Sequence, residues 1–102
     1  MIEFSVLIPV ESNAGEAFPP AHDTVFEAFL LERFGAFTRA PGLYTGVWTS
    51  KGLVFRDSTR AYIVAVASVI DAGKFADVVV FAKANYEQEA IYLRFLGLSE
   101  VL

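Results

Sequence analysis

Apolar and polar residues alternate from Glu3 to Val10, with Phe4, Val6 and Ile8 on one face and Glu3, Ser5 and Leu7 on the other. This period of two predicts a first strand, ended by Pro9 and the polar stretch 11–16. After Phe18-Pro19-Pro20 the pattern changes. Thr24-Val25-Phe26-Glu27 fits a capping box, in which the Thr24 hydroxyl takes an orphan N–H and Glu27 reaches back. Val25, Phe26, Phe29, Leu30 and Phe34 then follow a helical period, and Gly35 stands where a left-handed stop is expected.

Residues 37–42 read as an irregular crossing broken by Pro41-Gly42. Leu43 to Thr49 predicts a strand, Ser50-Lys51-Gly52 a tight turn, and Leu53 to Phe55 an antiparallel return. The polar run from Arg56 to Arg60 then interrupts the sheet. Tyr62 to Ser68 is the most apolar strand. Tyr62, Val64 and Val66 line one side, with Ala61, Ile63, Ala65 and Ala67 on the other. A strand apolar on both faces is a central strand covered on both sides. Asp71 is placed to cap a second helix, whose inward stripe is Phe75, Val78, Val79, Ala82 and Tyr86. Glu87-Gln88-Glu89 closes it, and Ala90 to Leu96 is the last strand, with Ile91, Leu93 and Phe95 facing one way.

Strand, helix, hairpin, helix, strand is the order of an α+β, ferredoxin-like βαββαβ sandwich, an antiparallel sheet with two helices on one face. One domain, residues 1–102, is expected. Helices cover only one face, yet the first and third main strands are apolar on both. Sheet-to-sheet packing of a second copy is the simplest remedy, so the specific form expected is a dimeric α+β barrel.

Composition sharpens this expectation. Hydrophobic residues make up 55% of the 102 residues, and ten are Phe. Soluble domains ordinarily hold about 45–50%. A short chain has much surface for its volume, so the surplus points to a buried interface between copies. The longest apolar run, Ala61 to Ala67, is far short of the roughly 18–20 residues that cross a bilayer, so no membrane association is expected. The absence of cysteine removes disulfides and thiolate chemistry, and the default placement is cytoplasmic. Net charge is −4, with acids and bases scattered. Nucleic-acid binding asks for a concentrated basic face and is not expected.

Several segments taken together carry a resemblance: Leu7-Ile8-Pro9, residues 13–19, residues 32–41 with Phe37-Thr38-Arg39-Ala40-Pro41 the most specific, Gly46-Val47-Trp48, Arg56-Asp57 and residues 87–91. In this order they resemble an uncharacterised family of small bacterial proteins of about this size. The resemblance spans nearly the whole chain and implies a fold without a mechanism. The chain departs from that pattern at Val78-Val79-Val80, where aromatic and basic residues are expected.

Few residues offer chemistry. Arg39, Trp48, Arg56, Asp57 and Arg60 gather around the hairpin. Paired guanidiniums can fork onto an oxyanion or carboxylate, with Trp48 as an apolar wall, which gives a candidate site for a small anionic ligand. The plainer alternative is that Arg56 and Asp57 pair at a strand break, Arg39 caps a loop, and Trp48 packs in a core or interface. Structural ion pairs outnumber sites, which favours the plainer account. His22, the only histidine, is a candidate base, but a lone loop histidine is more often surface. No histidine or cysteine stands by to complete a metal site, and no cofactor is implied. Glu87 and Glu89 offer an acid pair only if one is buried, and helix-end solvation is the simpler role. Lys51-Gly52-Leu53-Val54-Phe55 resembles part of the RNA-recognition motif, but Leu53 and Ser58 stand where stacking aromatics are needed.

These observations favour a non-catalytic dimerising or interaction module. The alternative is a small-molecule binder, or a cofactor-independent enzyme of the dimeric barrel type, which rests on fold analogy alone.

Overall fold

The computed structural model describes residues 1–68, 71 and 73–98, and in the last strand the side chains through Arg94. The facing of Phe95 therefore lies outside the described side chains. The first strand, β1, is Ile2–Pro9. Helix α1, Pro20–Phe34, begins four residues before the Thr24 predicted from the capping box. Proline at the first helical position has no N–H to orphan and a φ already suited to the helix. Thr24 consequently lies inside the helix, where its hydroxyl donates to the Pro20 carbonyl (3.1 Å). Gly35 ends α1 in the left-handed region (φ 77), as its position in the sequence predicts.

The irregular crossing contains a two-residue strand, β2 (Thr38–Arg39), paired with Ile63 and Tyr62. Strand β3 is Tyr44–Ser50, and a turn with Lys51 and Gly52 both at positive φ leads into β4. Two successive positive φ values match the twist of a tight hairpin. Strand β4 is one continuous element, Leu53–Val66, and the run 56–60 does not break it. Residues 56–58 lie on a ribbon with no core beneath it, where polar side chains cost the strand nothing, and Arg60, which pairs with Ile8 of β1, has its charge met by Asp23. Helix α2 is Lys74–Asn85. Asp71 makes no cap to it and forms an ion pair with Lys74 (3.5 Å). Glu87 takes a left-handed φ of 53 just past α2, and β5 is Tyr92–Leu98.

β4 and β1 are central, antiparallel from Ile2↔Val66 to Pro9↔Thr59, and β5 flanks β1. Along the other edge of β4 lie β2 and, farther out, β3. This is the expected α+β, ferredoxin-like arrangement. The register puts Ile2, Phe4, Val6 and Ile8 of β1 on the same face as Tyr62, Val64 and Val66 of β4. Phe26 and Leu30 of α1 and Phe75, Val78 and Ala82 of α2 close over that face. Phe26 is fully buried at the centre, its ring 5.2 Å from Tyr62, 5.7 Å from Tyr86 and 6.3 Å from Phe81. Val25, placed in the inward stripe from its period, is exposed.

β3 and the first half of β4 project as a two-stranded arm. β1 stops opposite Thr59, so residues 53–58 of β4 pair only with β3, apart from one bond from the Val10 N–H to the Ser58 carbonyl. The radius of gyration, 14.2 Å, exceeds the roughly 13 Å of a compact domain of this length, and the long axis reaches 44 Å.

Candidate functional site

The six candidate residues divide between two faces and do not form one site. β4 alternates, so Arg56 and Arg60 lie on the helix side with Tyr62, while Phe55, Asp57 and Thr59 face the open side. Trp48 pairs with Phe55 on the open side, their rings stacked at 4.4 Å. The Trp48 indole N–H donates to Asp57, two residues along the facing strand (2.7 Å). Arg56 is exposed, and no ion pair joins it to Asp57 among the described residues.

Arg39 and Arg60 belong to a network that the sequence does not announce. Asp23 and Glu27 lie one turn apart on α1, and both carboxylates face β4. Arg60 donates to one oxygen of Asp23, and the Tyr86 hydroxyl donates to the other (2.6 Å). Arg39 and the Tyr62 hydroxyl both donate to one oxygen of Glu27, at 3.0 and 2.8 Å. The result is two parallel guanidinium–carboxylate–phenol sets, linking α1 to β2, β4 and the end of α2. A buried phenol needs a partner for its O–H, and an i, i+4 carboxylate pair supplies two.

Both phenols are pushed well above their ordinary value of about 10. For each, burial is the first cause, followed by the hydrogen bond to Glu27 for Tyr62 and to Asp23 for Tyr86. Above about pH 10 an unfolded chain releases these protons while the folded chain keeps them. Their contribution to stability is therefore complete below pH 10 and falls as pH rises. The expected slope is about 1.4 kcal/mol per pH unit for each tyrosine. Alkaline denaturation followed by circular dichroism and tyrosinate absorbance should show phenol ionisation arriving with unfolding. Ionisation of all four tyrosines before unfolding would contradict this.

His22 sits in the first turn of α1. Its ring packs on Phe18 (5.0 Å) and lies 6.1 Å from Tyr86, and Nδ1 is enclosed with no hydrogen-bond partner among the described residues. The Asn85 amide donates to its carbonyl (2.9 Å). These are the surroundings of a packing side chain. Among the described residues no three of His, Cys, Asp and Glu group so as to hold a metal ion.

Three concavities matter. The largest, about 760 Å³, lies at the base of the arm between Trp48, Phe55, Arg56 and Asp57 and the segments carrying Glu11 and Glu89. Three carboxylates against one guanidinium make it a poor place for an anion. A trough of about 570 Å³ on the open face is walled by Leu7, Tyr44, Trp48 and Tyr92. A third, of about 420 Å³, holds Arg39 and Arg60 under residues 40–43.

The architecture defines the chain first as a member of the ferredoxin-like α+β class. More particularly, it is similar in fold to the divalent cation tolerance protein CutA1 of Thermus thermophilus, with a TM-score of 0.67 and 14% identity over 99% of this chain and 86% of that one. The periplasmic divalent cation tolerance protein CutA of Archaeoglobus fulgidus gives 0.65 and 16% identity, with the same coverage. A phage S-adenosylmethionine lyase, solved with S-methyl-5′-thioadenosine, gives 0.60 and 14% over 94% of this chain and 80% of that one. At such identities the likeness is one of fold, and one fold here carries differently named proteins. No family model matches the chain, and no curated protein matches it. The resemblance to a small uncharacterised bacterial family therefore holds for the fold, which described proteins share, and no further. Among the described residues no helix is long and apolar enough to cross a membrane.

Proposed function

We propose that the chain is a non-catalytic, self-associating module whose arm and open sheet face pack against another copy, in the simplest case as a homodimer. The apolar arm carries this reading. Leu53 and Val54 near its tip are 62% and 60% exposed, and Leu43, Tyr44, Val47 and Trp48 are about half exposed. Register puts Tyr44, Trp48, Leu53 and Phe55 on one face and Val47 and Val54 on the other, so both faces are apolar. A lone two-stranded ribbon is at best marginal in water, and its unpaired edges invite another strand. The open-face trough, lined by Leu7, Tyr44 and Tyr92, offers apolar surface of the same kind. The cytoplasmic placement belongs to this reading, as does the absence of a cofactor.

Light scattering on the full chain should give a discrete assembly, and a monodisperse monomer at micromolar concentration would overturn the proposal. Leu53→Lys with Val54→Lys is expected to yield a folded monomer, since neither side chain belongs to the core cluster. Circular dichroism checks that the fold survives.

A further inference from the structure

We propose that the pocket between Arg39 and Arg60 binds a small oxyanion, a phosphate or carboxylate group. Arg39 stands opposite Tyr62 in the β2–β4 register, and Arg60 is two residues before Tyr62 on the same face. That diagonal relation puts the two Cα atoms roughly 7–8 Å apart, within common reach of two long side chains. Both guanidiniums line one cavity of about 420 Å³, roofed by Ala40, Pro41, Gly42 and Leu43. The Ala40 N–H is tied to the Ala61 carbonyl (3.0 Å), which fixes the roof to β4.

The ion pairs behind the arginines prepare the pocket. Each guanidinium meets its carboxylate through Nη1, and a guanidinium carries five N–H donors in a planar fork, so donors remain for the cavity. The carboxylates are in turn held by the Tyr62 and Tyr86 hydroxyls. Two forks are therefore oriented before a ligand arrives, which lowers the ordering cost of binding.

The four charges sum to zero, but their placement is not even. The Arg39 side chain is 51% exposed against 23% for Glu27, and Arg60 is 30% exposed against 25% for Asp23. Solvent therefore reaches Arg39 more than its carboxylate, while the Arg60–Asp23 pair is nearly even. Arg56 has no ion pair among the described residues, yet it shares its groove with Glu11, Asp57 and Glu89. An anion is favoured where two guanidiniums converge, and disfavoured where one faces three carboxylates. The site uses the helix side of β2 and β4, so it does not depend on self-association through the open face.

The test titrates inorganic phosphate, and separately succinate, into the full chain at constant ionic strength held with chloride. Binding is read by calorimetry and by shifts of the arginine side-chain resonances. Saturable binding of either anion, with the Arg39 and Arg60 signals moving together, supports the proposal. The anion that saturates at lower concentration identifies the source of the oxyanion. Arg39→Gln should weaken binding about tenfold, the loss of one charge-assisted fork. Arg39→Lys keeps the charge without the fork and should also weaken it. Arg56→Gln should leave it unchanged. Arg39 is the residue varied because its pair is the more exposed, and circular dichroism confirms each variant's fold. A response that grows linearly with both anions, or an equal loss in Arg56→Gln, would overturn the proposal.

Discussion

Phe26→Ala is expected to remove about 3–5 kcal/mol of stability, a large share of the roughly 5–15 kcal/mol that holds a domain folded. Phe26 is fully buried, and its ring meets elements from three parts of the fold. It packs edge-on against Tyr62 of β4 and against Tyr86 after α2, and it stacks at 6.3 Å on Phe81 within α2. Phe81 is stacked in turn on Phe29 (4.1 Å, 4° between planes). Collapse into the vacancy would require aromatic rings held on separate elements to move toward one another. Two of them, Tyr62 and Tyr86, are also fixed at their far ends by carboxylates on α1. The cavity therefore stays largely open, which puts the cost in the upper part of the range for large-to-small changes. Urea denaturation measures it. A loss below about 1.5 kcal/mol, the scale of a volume-conserving core swap, would mean that the centre repacks freely.

The centre of that core is legible in the sequence because it is periodic. Phe26 and Leu30 repeat on a helical face, and Tyr62, Val64 and Val66 on a strand face, so each signal is complete within a few residues. Errors arise where local chemistry is ambiguous. Thr24 and Glu27 satisfy a capping pattern, yet proline at the first helical position starts α1 earlier, and Glu27 is drawn to Arg39 and Tyr62 instead. The polar run from Arg56 to Arg60 reads as a break because polar residues usually mark loops. A strand that leaves the body of the protein has no buried face to demand alternation. β2 is too short to leave any period.

The candidate cluster fails for a related reason. Trp48 with Asp57, and Arg39 with Arg60, do come together, but on opposite faces of the sheet, because a strand sends successive side chains to opposite faces. Proximity along β4 therefore separates Arg56 from Asp57. The partners that matter lie 37 residues apart for Asp23–Arg60, 35 for Glu27–Tyr62 and 63 for Asp23–Tyr86. The available signal is two acids one helical turn apart on α1, together with tyrosines inside apolar stripes whose hydroxyls need acceptors.

Asp23→Ala is the second large effect. It leaves the Arg60 guanidinium and the Tyr86 hydroxyl without their carboxylate, and Tyr86 is fully buried. Orphaning a buried hydroxyl costs about 1–3 kcal/mol. Breaking a fully buried ion pair costs about 3–5, but this pair keeps 25–30% of its side-chain surface in water. The expected total is about 2–4 kcal/mol. Tyr86→Phe removes the hydroxyl while leaving Asp23 on Arg60, and should cost about 1 kcal/mol, the net worth of one hydrogen bond. The two changes should not add. Once Asp23 is gone, the phenol oxygen has, among the described residues, only the His22 carbonyl at 3.5 Å, so its removal should then be nearly neutral or favourable. A double-mutant cycle in urea is therefore expected to give a coupling of about 1–3 kcal/mol. Additivity within about 0.5 kcal/mol would mean that the carboxylate and phenol act independently. The pairing that joins the start of α1 to the end of α2 would then contribute no stability of its own.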